Sequence, residues 1–160
     1  MSKLATALGN AYTDKRRAIR TRTFELGGHT FKVRVPLTSE SDAMFVRVSA
    51  PASELVDEIY TTLTASLIKF KDQQSEEFQV TDNDIIVSGR SMREAAKNKA
   101  IMEARITEYV RLLVPEDPEQ SMADITYADI EAEWPLSVQV ALVDKISEAI
   151  SPSYKETRGN

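Results

Sequence analysis

Residues 21 to 36 read Thr-Arg-Thr-Phe-Glu-Leu-Gly-Gly-His-Thr-Phe-Lys-Val-Arg-Val-Pro, two alternating runs joined by a glycine pair. Few patterns constrain a fold as tightly, because a two-residue hairpin turn of type I′ needs positive φ at both central positions, which glycine adopts without steric cost. With Gly27-Gly28 at the bend, Leu26 pairs with His29, Phe24 with Phe31 and Arg22 with Val33. Phe24, Leu26, Phe31, Val33 and Val35 then share a face that must be covered, since a lone two-stranded ribbon is at best marginal in water. The opposite face sets Glu25 against Thr30, Thr23 against Lys32 and Thr21 against Arg34 and can stay wet. His29 reads as a polar residue flanking the turn.

Helices are the cover that the rest of the chain offers. Pro36 ends the second strand, and Thr38 or Ser39 can cap a short helix near 39 to 48, Ser39 and Asp42 standing at capping-box spacing. From Pro51 a longer helix carries Leu55, Ile59, Leu63, Leu67 and Phe70 at steps of three and four, one apolar stripe. Phe78-Gln79-Val80 and Ile85-Ile86-Val87, set in polar surroundings, predict a second, small hairpin. Ser91 and Glu94 form another capping box, opening a helix over 91 to 113 that buries Met102, Ile106, Tyr109 and Leu113 before Pro115 and Pro118 stop it. Thr126-Tyr127-Ala128-Asp129 caps a short helix to Glu133. Trp134-Pro135 breaks the chain and restarts it, because proline suits the first helical turn and restricts the residue before it. The last helix, 135 to 150, shows Val138, Leu142, Ile146 and Ile150 at four-residue steps.

The expected fold class is therefore α+β, mostly α, with an N-terminal β-hairpin packed against a small bundle of helices. Four regions are expected: a basic N-terminal arm over 1–20, helical or loose; hairpin plus helical core over 21–114; an acidic C-terminal helical region over 115–150; and a flexible tail over 151–160.

At 160 residues and 42% hydrophobic, the chain suffices for one ordinary core. No apolar run approaches the ~18 residues that span a bilayer, and the N-terminus lacks a signal-peptide hydrophobic region, so a soluble intracellular protein with no membrane partner is expected. Zero cysteines remove disulfides, thiolate chemistry and zinc-finger sites, and with a lone histidine neither a metal nor a cofactor is expected. No residues qualify as catalytic. Ser66-Leu67-Ile68-Lys69 has the Ser-x-x-Lys spacing of acyl enzymes, but Leu67 lies in the apolar stripe and the companion motifs are missing. Asp82-Asn83-Asp84 lacks the glycine and terminal glutamate of a calcium loop, since Val87 and Arg93 stand there. Ser88-Gly89-Arg90-Ser91 precedes a helix without being a phosphate cradle, and capping explains it better. The chain reads as a non-enzyme.

Charge is uneven along it. Residues 1 to 34 hold eight Lys/Arg against two Asp/Glu, whereas residues 115 to 150 hold one against nine. Lys15, Arg16, Arg17 and Arg20, with Arg22 nearby and Tyr12 and Phe24 beside them, could touch phosphates as an arm. A duplex would meet the net-negative remainder, so nucleic acid is not the expected partner. A basic front and an acidic back could instead attract each other in different copies, making self-association conceivable within the screening range of ~8 Å.

The order of elements, Phe-x-Leu-Gly-Gly-His-x-Phe-x-Val-Arg-Val-Pro followed by helices, an acidic stretch ending in Trp134-Pro135 and an apolar final helix, resembles the tail assembly chaperones of long-tailed bacteriophages over residues 22 to 150. The resemblance implies a small helical protein that coats the tape measure protein and brings tail tube subunits to it in the host cytoplasm, then leaves before the virion is complete. It implies no catalytic residues. A structural virion protein, such as a tail-completion or neck component, is the alternative. For a chaperone the partner surface expected from the residues is the side of the last helix carrying Trp134, Leu136, Val140 and Val143, away from Val138, Leu142 and Ile146.

Overall fold

The computed structural model of the chain describes residues 2 to 151; the rest of the tail expected over 151–160 lies outside the described residues. In chain order the elements are α1 (Lys3–Leu8), α2 (Asn10–Ile19), β1 (Thr21–Leu26), β2 (His29–Arg34), α3 (Thr38–Ser49), α4 (Ser53–Thr64), a 3₁₀ turn (Ile68–Phe70), β3 (Phe78–Val80), β4 (Ile85–Val87), β5 (Arg90–Ser91), α5 (Met92–Val110), α6 (Tyr127–Glu133) and α7 (Leu136–Ile150). The protein is α+β and mostly α. Among the described residues the contacts form two units, residues 2–42 with 106–151 and residues 43–105, so the hairpin groups with the C-terminal helices.

In the first unit the expected hairpin register holds at every pair, from Thr21–Arg34 at the open end to Leu26–His29 at the turn. Gly27 (φ 60°) and Gly28 (φ 81°) supply the two positive φ values of the turn. Phe24 and Phe31 stack across the strands with ring centroids 5.3 Å apart, and Val33 is fully buried. α7 packs on both strands. Its buried side chains are Gln139, Leu142, Val143 and Ile146.

One feature of this unit departs from expectation. The helix predicted to reach residue 113 stops at Val110, and the next residues run beside β2: Arg34 N–H donates to the Leu112 carbonyl (2.9 Å), Val114 N–H donates to the Lys32 carbonyl (2.8 Å), and Val33 bridges Leu113. Leu113 is buried as expected, but as a strand neighbour instead of a helical stripe residue. The N-terminal arm is helical, broken at Gly9 (φ 91°) and opened by the Ser2 hydroxyl, which accepts the Ala5 N–H at 3.1 Å.

In the second unit, α4 and α5 share a small core of Ile59, Ala96 and Ala100, with Leu55, Val56, Tyr60 and Leu63 packed against it. The stripe predicted to run on to Phe70 stops at Leu63. Beyond Thr64 the chain tightens into 3₁₀ geometry, with Leu67 N–H bonded to the Thr64 carbonyl at 2.9 Å, and Phe70 is left 44% exposed. The small hairpin is present and gains a third strand: β3, β4 and β5 form an antiparallel sheet in that order. Ser88-Gly89 is thus a hairpin turn between β4 and β5, with φ of 50° and 78°.

Asp84 joins that sheet to α5. One carboxylate oxygen accepts the N–H groups of Ile85 (2.8 Å) and Arg93 (2.9 Å), the other accepts the Ser91 hydroxyl, and Ser91 Oγ in turn accepts the Glu94 N–H at 3.1 Å. Burial pushes the Asp84 carboxyl pKa up, but the bonds from Ser91, Arg93 and Ile85 outweigh it and hold the group below its ordinary value. Arg93 completes the corner by lying over the Tyr60 ring, 4.1 Å from its centroid, while pairing with Asp57 at 2.9 Å.

Candidate partner-binding face

The junction of α6 and α7 is built by a proline and a buried amide. Thr126 and Asp129 form a reciprocal capping box that starts α6, and the bonds from Thr126 hold the Asp129 carboxyl pKa below its usual value. Trp134 N–H closes that helix on the Ile130 carbonyl at 2.9 Å, and Pro135 redirects the chain into α7. Gln139, only 1% exposed, pins the corner: its Nε2 donates to the Trp134 carbonyl (2.8 Å) and its Oε1 accepts the Tyr127 hydroxyl (2.9 Å). A buried glutamine without such partners would be costly, so this pair of bonds fixes where the Trp134 backbone sits. Sequence reasoning passed over Gln139. The available signal was a polar residue flanked by Val138 and Val140 in the otherwise apolar run from Val138 to Val143.

Trp134 is half-buried and stands at one wall of an apolar cleft of about 300 Å³, with Ser137, Val138, Ala141 and Leu142 along α7 and Leu26, Gly27 and Phe31 on the hairpin. On the other side of α7, Leu136 and Val140 are 49% and 46% exposed, one helical turn apart. Three of the four residues expected to meet a partner therefore reach a surface or a cleft.

The fourth does not. Val143 is 5% exposed and belongs to the core, a correction to its expected place. The reason is the width of the buried arc. Leu142 and Val143 are successive residues, about 100° apart around a helix of 3.6 residues per turn, and both are buried with Gln139 and Ile146 between them. Leu136 escapes because it is the first residue of the helix. Val138, expected in the core, lines the cleft half-buried.

The basic arm divides in the same way. Lys15, Arg16 and Arg17 are exposed on α2 and make no ion pair among the described residues. Arg20, grouped with them by sequence, is engaged within the fold: it lies 3.8 Å from the Glu40 carboxylate and donates to the Val35 carbonyl at 3.4 Å. Glu40 also accepts Arg34 at 2.6 Å and the Leu37 N–H at 3.2 Å. The Arg34 hydrogen bond is the main reason that the Glu40 carboxyl sits below its ordinary pKa.

Elsewhere, Phe45 and Val46 on α3 are 73% and 64% exposed, a patch that the expected short helix gave no reason to single out. Among the described residues no helix is long and apolar enough to cross a membrane, and no group of three or more His, Cys, Asp or Glu could hold a metal ion. No protein-family model, curated protein or solved structure matches the chain.

Proposed function

We propose that the protein is a non-enzymatic assembly chaperone of the kind that serves long-tailed bacteriophages, binding the tape measure protein and helping to bring tail tube subunits to it in the host cytoplasm. The observation that carries this reading is that α7 leaves two aliphatic side chains, Leu136 and Val140, about half exposed one turn apart, while its other side lines an apolar cleft. At about 300 Å³ the cleft is at the lower limit of pockets that enclose a small molecule, and it is open to solvent. It suits an anchoring side chain of a partner helix, the helix-in-groove mode of recognition, and Leu136 and Val140, on the other side of α7, offer a second apolar contact. Such a contact is modest in area and reversible, which a factor displaced by polymerising tube subunits requires. The order of hairpin, acidic stretch, Trp134-Pro135 and apolar last helix supports the same reading.

The test is copurification with the cognate tape measure protein. Leu136→Asp with Val140→Asp should leave the circular dichroism spectrum unchanged, since both side chains are about half exposed. Losing burial of both at an interface removes roughly 2 kcal/mol, so affinity should fall at least about tenfold. Equal recovery of wild type and variant would sink the proposal. Mass spectrometry of purified particles provides the second readout: the protein should be absent, and stoichiometric presence would mark it as a structural virion component.

A further inference from the structure

The least explained element of the molecule is α2. It is a helix of ten residues with no buried side chain, and isolated helices shorter than about 12–15 residues are marginal in water. Lys15, Arg16 and Arg17 stand together on it, offset only by Asp14, and none of the three cations is paired among the described residues. Apolar side chains flank them without cover: Ile19 is 59% exposed, and on α1 Leu4 and Leu8 are 65% and 53% exposed. This is a surface with positive charge and grease, left open among the described residues.

The same unit carries the complement. Between Arg111 and Lys145 there is no Lys or Arg at all, but there are eight Asp and Glu residues. Among these Glu131 and Glu133 project from α6, exposed and without an ion pair among the described residues. We infer that α2 of one molecule docks on the acidic α6 region of a second copy of this chain. A second copy fits better than a nucleic acid, because three free cations beside a net charge of −5 are few to hold a duplex, whereas every copy brings a matching acidic segment. Two copies can exchange these contacts reciprocally about a two-fold axis, which closes a dimer, or pair head-to-tail, where each added molecule leaves one basic and one acidic patch open and the array ends as a ring or continues as a fibre. The inference stands independently of the tape measure reading and would survive its failure.

Sedimentation velocity of the full chain decides it. In about 20 mM salt the wild type should show concentration-dependent species larger than a monomer, and in about 500 mM salt, where screening shortens to a few ångströms, these should disappear. Arg16→Glu with Arg17→Glu, and separately Glu131→Lys with Glu133→Lys, should each sediment as monomers at low salt with unchanged circular dichroism. An equimolar mixture of the two charge-reversed variants should associate again, because each then offers the other a complementary pair. Wild type that stays monomeric at low salt, or variants that associate as wild type does, would overturn the inference. So would wild type that binds a short DNA duplex in a salt-dependent way while remaining monomeric, which would make α2 a phosphate contact.

Discussion

The two hairpins of this protein bend through the same kind of turn and are held in opposite ways. Gly27-Gly28 and Ser88-Gly89 are both two-residue turns with positive φ throughout, closing on the pairs Leu26–His29 and Val87–Arg90. The first hairpin has six residues per strand, enough to give a face to the interior: Phe24 and Phe31 stack, Val33 is fully buried and α7 packs over the ribbon. The second is shorter, with β5 only two residues long; it buries Ile85, and a polar hub gathers its strands and the helix after it around the Asp84 carboxylate. A ribbon that can bury a face is fixed by packing. One with less face to bury relies also on directed bonds, and part of its stability becomes a matter of a few atoms and of pH.

The largest effect should come from removing the packing. Leu142 is fully buried and lines the cleft together with Leu26 and Phe31 of the hairpin. Leu142→Ala should cost roughly 2–5 kcal/mol, the range for deleting a buried leucine where the surroundings relax only in part. Urea unfolding followed by the fluorescence of Trp134, the one tryptophan of the chain, measures it. A cost below about 1 kcal/mol would mean that α7 merely rests on the hairpin.

The second effect breaks the polar hub. Asp84→Ala leaves the Arg93 and Ile85 N–H groups and the Ser91 hydroxyl without their acceptor and should cost about 1–3 kcal/mol. Hydrogen exchange should then quicken at the Ile85 and Arg93 amides while the β1–β2 amides stay protected. The pH dependence has a definite sign. The native Asp84 pKa is depressed, so its contribution is fully present above the unfolded value of about 3.9 and is lost as pH falls through the native value. Asp84→Asn should therefore be less stable than wild type at pH 7, and the gap should close below about pH 4. Glu40 and Asp129 are depressed too, so the wild type and the variant will both weaken in acid, and the informative quantity is the difference between them.

What the sequence disclosed follows the same division. The first hairpin was legible down to each pair because strand alternation and a glycine turn are both local signals, read without knowing what packs where. The α6 cap and the start of α7 were legible for the same reason, since Thr126, Asp129 and Pro135 act within one turn of chain. The features that were missed depend on partners distant in sequence. The edge pairing of Leu112–Val114 is set by β2, some eighty residues upstream. Whether Val143 faced a partner or the core depended on how wide an arc of α7 the first unit buries. Arg20 looked like one more cation of a basic arm until the fold brought Glu40 beside it. Local chemistry wrote the elements; the assignment of a residue to surface or interior waited on their arrangement.

The smallest effect is the sharpest test of whether the two turns are equivalent, because it exchanges them. Ser88 and Gly27 occupy the same first turn position, at φ 50° and 60°. A side chain in the left-handed region costs about 1–2 kcal/mol of backbone strain, while glycine loses roughly 0.5–1 kcal/mol more conformational freedom on folding than a residue with a Cβ. Ser88→Gly should thus stabilise the protein by about 0.5 kcal/mol, and Gly27→Ser should destabilise it by a similar amount, since a Cβ added there meets no atom within 4 Å and only the backbone term operates. Thermal unfolding at neutral pH should resolve both shifts, opposite in sign and close in size. If Ser88→Gly instead destabilises, the Ser88 side chain contributes a contact of its own, and the short hairpin is held at its turn as well as at Asp84.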